Sequence, residues 1–194
     1  MHFNSISTTK SLELIAKAKK DGLKVTCDVA SYNLLLDETE LNEFDTRYKT
    51  LPPLRSKATI NDLINGIKNE TIDAICSDHT PEDVEEKMKE FDHAAFGIIN
   101  LQTSFAAANT ALKKKISIAE IIPFFTTKPA SILGVTIAKI DIGEKAELTL
   151  FQPEKEFTFT KAQVLSKSKN SAFFNRKLMG NVVGIMNAGK TALN

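Results

Sequence analysis

Cysteine is scarce in this chain of 194 residues, which has only Cys27 and Cys76. Both fall in apolar runs and are expected to be small core residues, so neither a disulfide framework nor a cysteine-based metal site is expected. A surplus of charge of one sign is also missing, since 25 basic residues face 24 acidic ones for a formal net charge of +1. That balance excludes an electrostatic footprint for nucleic acid or for an anionic membrane surface. No apolar run approaches the ~20 residues that cross a bilayer, and no secretory signal opens the sequence, so the expected location is the cytoplasm. The basic run Lys113-Lys114-Lys115 is expected at a helix end. With 42% hydrophobic residues, a chain of this length can bury a sizeable core.

The residues that are present alternate between helical and strand patterns. Ser7 or Thr8 caps a helix to about Lys20, with Leu12, Ile15 and Ala18 on one face and Gly22 as the stop. A strand over 23–29 follows, then an acidic helix start over 37–44 and a loop whose Pro52 and Pro53 forbid helix and interior strand. Thr59 with Asp62 resembles a capping box for a helix through about Lys68, which leads into a second strand over Ile72 to Cys76. Strand, helix, strand at this spacing implies a parallel sheet. The charged run Glu82 to Glu90 reads as a solvated loop or short helix with no chemical role for Glu82, Asp83 or Glu85, and His93 is expected to face water. Helices are expected from Leu101 to Ala111 or Leu112, from Ser117 to Phe125 with a stop or kink at Pro123, and after Pro129 to Leu133. Beyond Gly134, the alternating runs over 146–151 and 157–160 read as β structure.

The tract from Thr71 to Pro81 has the strongest chemical content, because its strand delivers Asp78 to its own C-terminal end, where parallel α/β folds keep their chemistry. Asp78 is therefore a candidate metal ligand or general base, and a carboxylate that caps a turn or helix is the bland alternative. A second motif, Gly184 to Thr191, has the full P-loop spacing. Only Ala192, Leu193 and Asn194 follow it, too few for the helix whose amides hold phosphate, so turn glycines beside a last strand are expected and nucleotide binding is not.

Three tracts in order, Lys49-Thr50-Leu51-Pro52-Pro53-Leu54-Arg55, Ser77-Asp78-His79-Thr80-Pro81 and Phe96-Gly97-Ile98 with Leu101-Gln102-Thr103, resemble the long-chain dihydroorotases of the amidohydrolase superfamily. The opening residues to Val29 and the Thr127-Lys128-Pro129-Ala130, Ala146-Glu147-Leu148 and Ser166 to Asn170 stretches extend the resemblance over nearly the whole chain. It implies an α/β fold: the C-terminal part of a TIM-type (β/α)8 amidohydrolase barrel with C-terminal helices over 1–134, followed by strands of a small β-sandwich over 135–194. It also implies a zinc pair and ring closure or opening between carbamoyl aspartate and dihydroorotate in pyrimidine biosynthesis. Asp78 would then serve as metal ligand and proton shuttle.

Departures from the family pattern qualify that expectation. Ser5 and Tyr32 stand where the resemblance implies histidine ligands, with Asn33 beside the second, and His2 lies three residues too early. Tyrosine is a poor zinc ligand at neutral pH, and zinc sites take three or four protein donors, so zinc binding by this chain is not expected. Substrate positions differ too, with Leu51 for the family's Asn and Glu82 for its last His, while Glu70 replaces a Gly. Two functional classes follow. One is a dihydroorotase-like enzyme, inactive as this portion alone. The other is a non-catalytic homologue that supports aspartate transcarbamoylase. Dihydropyrimidinase and allantoinase are lesser alternatives. The first residues enter a strand at once, so the chain is expected to be a piece of a longer one, with Met1 internal and its open barrel edges favouring an oligomer or a longer chain.

Overall fold

The computed structural model describes residues 1–137 and 139–193. Its first half is a parallel sheet with crossover helices, in the order β1 (His2–Phe3), α1 (Thr9–Lys20), β2 (Thr26–Ala30), α2 (Lys57–Lys68), β3 (Ala74–Cys76). The strands lie in the order β1-β2-β3, with His2 opposite Thr26, Asp28 opposite Ala74 and Ala30 opposite Cys76. Parallel neighbours need a long crossover, which α1 and α2 supply. Thr8 caps α1, its side chain accepting from the Ser11 amide at 3.0 Å.

Several boundaries differ from the sequence expectation for local reasons. β2 begins at Thr26 rather than Leu23, because the Leu23 amide bonds back to Ala18 and the Val25 amide to Leu23, winding this stretch into turns. α2 is capped by Ser56, which accepts from the Thr59 amide at 3.3 Å, so Thr59 is inside the helix and not its cap. Asp73, the polar interruption of the second strand, holds the Lys19 ammonium at 2.7 Å and the Cys27 amide at 2.8 Å. Behind the sheet, Cys27, Val29, Ile72 and Ile75 pack against Ile15 of α1 and Leu63, Ile64 and Ile67 of α2.

After β3 come α3 (Val84–Lys87), α4 (Ser104–Leu112), α5 (Ile118–Ile121), a 3-10 turn over Ile122–Phe125, and α6 (Thr127–Leu133). The run expected to be wholly solvated hides Lys87, which is 8% exposed. Ser117 and Glu120 form a reciprocal capping box for α5, and the helix tightens to 3-10 at Ile122, next to Pro123, which has no amide to donate. α6 starts two residues before Pro129, because a proline in the first helical turn forfeits no internal bond.

A second sheet is antiparallel, in the order β4 (Leu148–Thr158), β5 (Lys177–Asn187), β6 (Lys190–Leu193). The two runs expected as separate pieces are largely one strand, β4, with register shifts after Leu150 and after Gln152. Gly184 lies inside β5 opposite Leu193, Ala188 and Gly189 turn the chain, and Lys190 and Thr191 belong to β6. A strand thus follows the P-loop-like spacing where a helix would be needed, and Asn194 lies outside the described residues. This sheet packs on α4: Asn109 donates to the carbonyls of Pro153 at 2.9 Å and Met179 at 3.0 Å, and Phe105 meets Phe151 edge-on at 4.9 Å. Gly180, at φ +109°, is where they touch, since a Cβ there would sit 2.8 Å from the Phe105 ring. A second apolar cluster joins Tyr32, Leu54, Ile98 and Ala107 to Phe159, Phe173 and Leu178. No helix among the described residues is long and apolar enough to cross a membrane.

Candidate functional site

The chain leaves each parallel strand toward one end of the sheet, and there the expected site residues converge. Asp78 sits two residues beyond β3 at φ +45°, a left-handed conformation uncommon for a residue with a side chain. Tyr32, in the turn that follows β2, is 1% exposed and donates its hydroxyl to Asp78 Oδ2. Burial, then the facing Asp78 carboxylate, pushes the Tyr32 phenol well above its ordinary range, so it stays protonated and acts as a donor. Thr50 of the Pro-Pro loop lies beside the same phenol.

Ser5, just past β1, is buried at φ +53°. Its amide donates to Asp28 Oδ1 at 2.7 Å and its hydroxyl lies 3.7 Å from Cys76 Sγ. His2 is turned to β2, with Nε2 2.8 Å from Asp28 Oδ2 and Nδ1 2.8 Å from Thr26 Oγ1. Burial, then the Asp28 carboxylate, pushes the Cys76 thiol up.

His79 is a structural residue: its Nδ1 accepts from the amides of Asn100 and Leu101, both at 3.0 Å. Asn100, given no role by the sequence, donates to the Ser77 carbonyl at 2.6 Å and the Ser31 hydroxyl at 2.8 Å, joining the exits of β2 and β3. Asn170 similarly holds the Thr80 and Gly97 carbonyls, each at 3.1 Å. Of the altered substrate positions, Leu51 is exposed and the Glu82 amide is tied to Ser168 Oγ at 3.2 Å. Arg55 Nε donates to Ser7 Oγ at 3.2 Å.

These donors do not fit a metal pair. A zinc-type site needs neutral imidazole, thiolate or carboxylate ligands. The strand ends offer two carboxylates, Asp78 engaged by Tyr32 and Asp28 by the Ser5 amide and His2, beside a serine hydroxyl, a phenol and a thiol. The nearby histidines are committed to Asp28 and to two amides. Elsewhere among the described residues, Glu90, Asp92 and His93 lie close enough to share an ion, but all three are exposed on the surface.

With β1–β3 and the sheet that packs on α4, the chain has an α/β architecture of the hydantoinase type. L-Hydantoinase (dihydropyrimidinase) from Arthrobacter aurescens superposes with a TM-score of 0.90 at 25% identity, covering 100% of this chain and 44% of the hydantoinase. The model of the Amidohydrolase family matches residues 1–192, and the chain belongs to that family. A dihydroorotase of Thermoanaerobacter sp. is 40% identical over 182 residues, 93% of this chain and 42% of the relative. The chain therefore spans less than half the length of that relative. The inactive dihydroorotase-like domain of the Chaetomium thermophilum CAD-like multifunctional protein shares the fold, with a TM-score of 0.73 at 19% identity over 98% of this chain and 50% of that one.

Proposed function

We propose that this chain is the C-terminal portion of a dihydroorotase-like amidohydrolase of pyrimidine biosynthesis in which metal chemistry has been lost, and that the whole protein supports aspartate transcarbamoylase as a non-catalytic partner. In this reading residues 1–134 are the last part of a (β/α)8 barrel and its helices, and 135–194 belong to a small β-sandwich. The observation that carries it is the donor set at the strand ends. Where ring hydrolysis would need a metal-held hydroxide, this chain offers Ser5, a protonated Tyr32 and an Asp78 that is already accepting a hydrogen bond. The inactive domain from Chaetomium has the same fold, so the fold itself does not require catalysis.

A second reading is favoured by the 40% identity to a dihydroorotase and by Asp78 at the end of a parallel strand. In it the whole protein is active, Asp78 would hold zinc and would pass the proton to the leaving nitrogen, and residues outside this chain would supply the other ligands. One preparation separates the two. Full-length protein is purified, its zinc is quantified, dihydroorotate hydrolysis is assayed, and co-sedimentation with aspartate transcarbamoylase is measured. The non-catalytic reading expects no stoichiometric zinc, no turnover and co-sedimentation. Bound zinc with turnover overturns it.

A further inference from the structure

We propose that a ring of side-chain hydrogen bonds does here what a metal centre does in a metal-loaded amidohydrolase, tying the ends of the three parallel strands together, with Tyr32 on Asp78 as its closing bond. The inference rests on the non-catalytic reading and adds a structural role for the altered residues. Ladder pairing ends at Phe3 with Cys27 and at Ala30 with Cys76. Past those points, side chains link every pair of strands. β1 is tied to β2 at Asp28, whose side chain takes the Ser5 amide at 2.7 Å and, from inside the ladder, His2 Nε2 at 2.8 Å, while its carbonyl takes the Ile6 amide at 2.9 Å. β1 meets β3 where Ser5 Oγ approaches Cys76 Sγ at 3.7 Å. β2 is tied to β3 by the Tyr32 hydroxyl on Asp78.

Backbone geometry agrees with that role. Ser5 and Asp78 both hold positive φ, at 53° and 45°, and strained residues of this kind persist only where their surroundings fix them. Asp28 fixes the first and Tyr32 the second. An ion on Asp78 would compete with the Tyr32 bond for the same carboxylate, whose Oδ2 already accepts the hydroxyl of a phenol that is 1% exposed.

The test is thermal unfolding of the full-length protein with added zinc, with chelator, and in a double-mutant cycle of Tyr32→Phe and Asp78→Ala. Neither zinc nor chelator should move Tm, and each single variant should lower it by about 1–3 °C. The double variant should fall no further than the worse single, a comparison that cancels the backbone cost of Ala at a positive φ. Asp78→Asn keeps an acceptor and suits the left-handed backbone, so it should stay near the parent. That variant decides the matter against Asp78→Ala if Tyr32→Phe does not fold. Zinc that raises Tm, or chelator that lowers it, overturns the non-catalytic reading and the ring together. With no zinc effect, additive or silent single variants, or Asn as damaging as Ala at position 78, overturn the ring and leave that reading standing.

Discussion

Lys87 is buried with its ammonium on the carbonyls of Ala95 at 2.8 Å and Gly97 at 3.0 Å. Burial, with the Lys49 ammonium as a lesser cause, pulls its pKa from 10.5 down to about 8. Below pH 8 both folded and unfolded chains carry the proton, and the cost of burying the charge is present in full. Between about 8 and 10.5 the folded chain has released a proton that the unfolded chain still binds, so this group's contribution to stability rises with pH. Cys27 opposes it: burial pushes the thiol from 9.0 up to about 12, so above pH 9 the unfolded chain loses a proton the folded chain keeps, and stability falls. Lys87→Met isolates the first effect. Urea unfolding from pH 7 to 10.5 should show the parent gaining on the order of 2 kcal/mol relative to the variant across that window, and parallel curves would refute the assignment. Asn33 gives a second residue-scale prediction. Its amide nitrogen and oxygen are both buried with no partner among the described residues. Asn33→Leu removes that unpaired amide and should be neutral or stabilising by up to about 1 kcal/mol in the same assay, whereas a loss above about 1 kcal/mol would reveal a bound partner such as water.

At the scale of elements, α2 separates the cap from its imitation. Ser56→Ala removes the oxygen that accepts the Thr59 amide and should cost about 1 kcal/mol, while Thr59→Ala leaves that bond in place and should cost a few tenths, both read by denaturant unfolding. The sequence could not rank the two, because Thr59 with Asp62 has the same capping spacing that Ser56 with Thr59 realises. Legible elements were those in which a local signal and burial agree, such as α1 with its Thr8 cap and the run from Ile72 to Cys76, whose last three residues form β3. Asp78 was legible for the same reason, as a carboxylate at the end of an apolar run. Its partner was not: Tyr32 lies 46 positions away, and nothing near it in the chain announces a hydrogen bond to Asp78. Lys87 was misread because its neighbours are charged and exposed, and only the fold of the segment to Gly97 supplies the carbonyls that let an ammonium go inside. Asn100 stayed hidden too, since its bonds to Ser31 and Ser77 join two strand exits distant in sequence.

At the scale of the whole molecule, antiparallel structure begins with β4 at Leu148, past the change of texture at Gly134, yet packing does not stop there. Tyr32, Ile98 and Ala107 share one buried cluster with Phe159, Phe173 and Leu178, and α4 bonds to both long strands of the second sheet. Met179 returns a bond to α4 through its amide, 2.8 Å from Thr110 Oγ1. Two regions joined through shared core and buried hydrogen bonds should unfold as one cooperative unit. Asn109 is the place to test this, because it is 1% exposed and its one amide group holds carbonyls of β4 and β5 together. Asn109→Ala leaves those two carbonyls short of a donor and should cost about 2–3 kcal/mol. The loss should appear as a shift of a single transition. Tyrosine fluorescence, which reports Tyr32 and Tyr48 in the first region, and far-UV circular dichroism, which reports both sheets, should therefore remain coincident in urea for parent and variant alike. Transitions that separate in the variant would mean that α4 is a removable contact and that the two sheets belong to independently stable units.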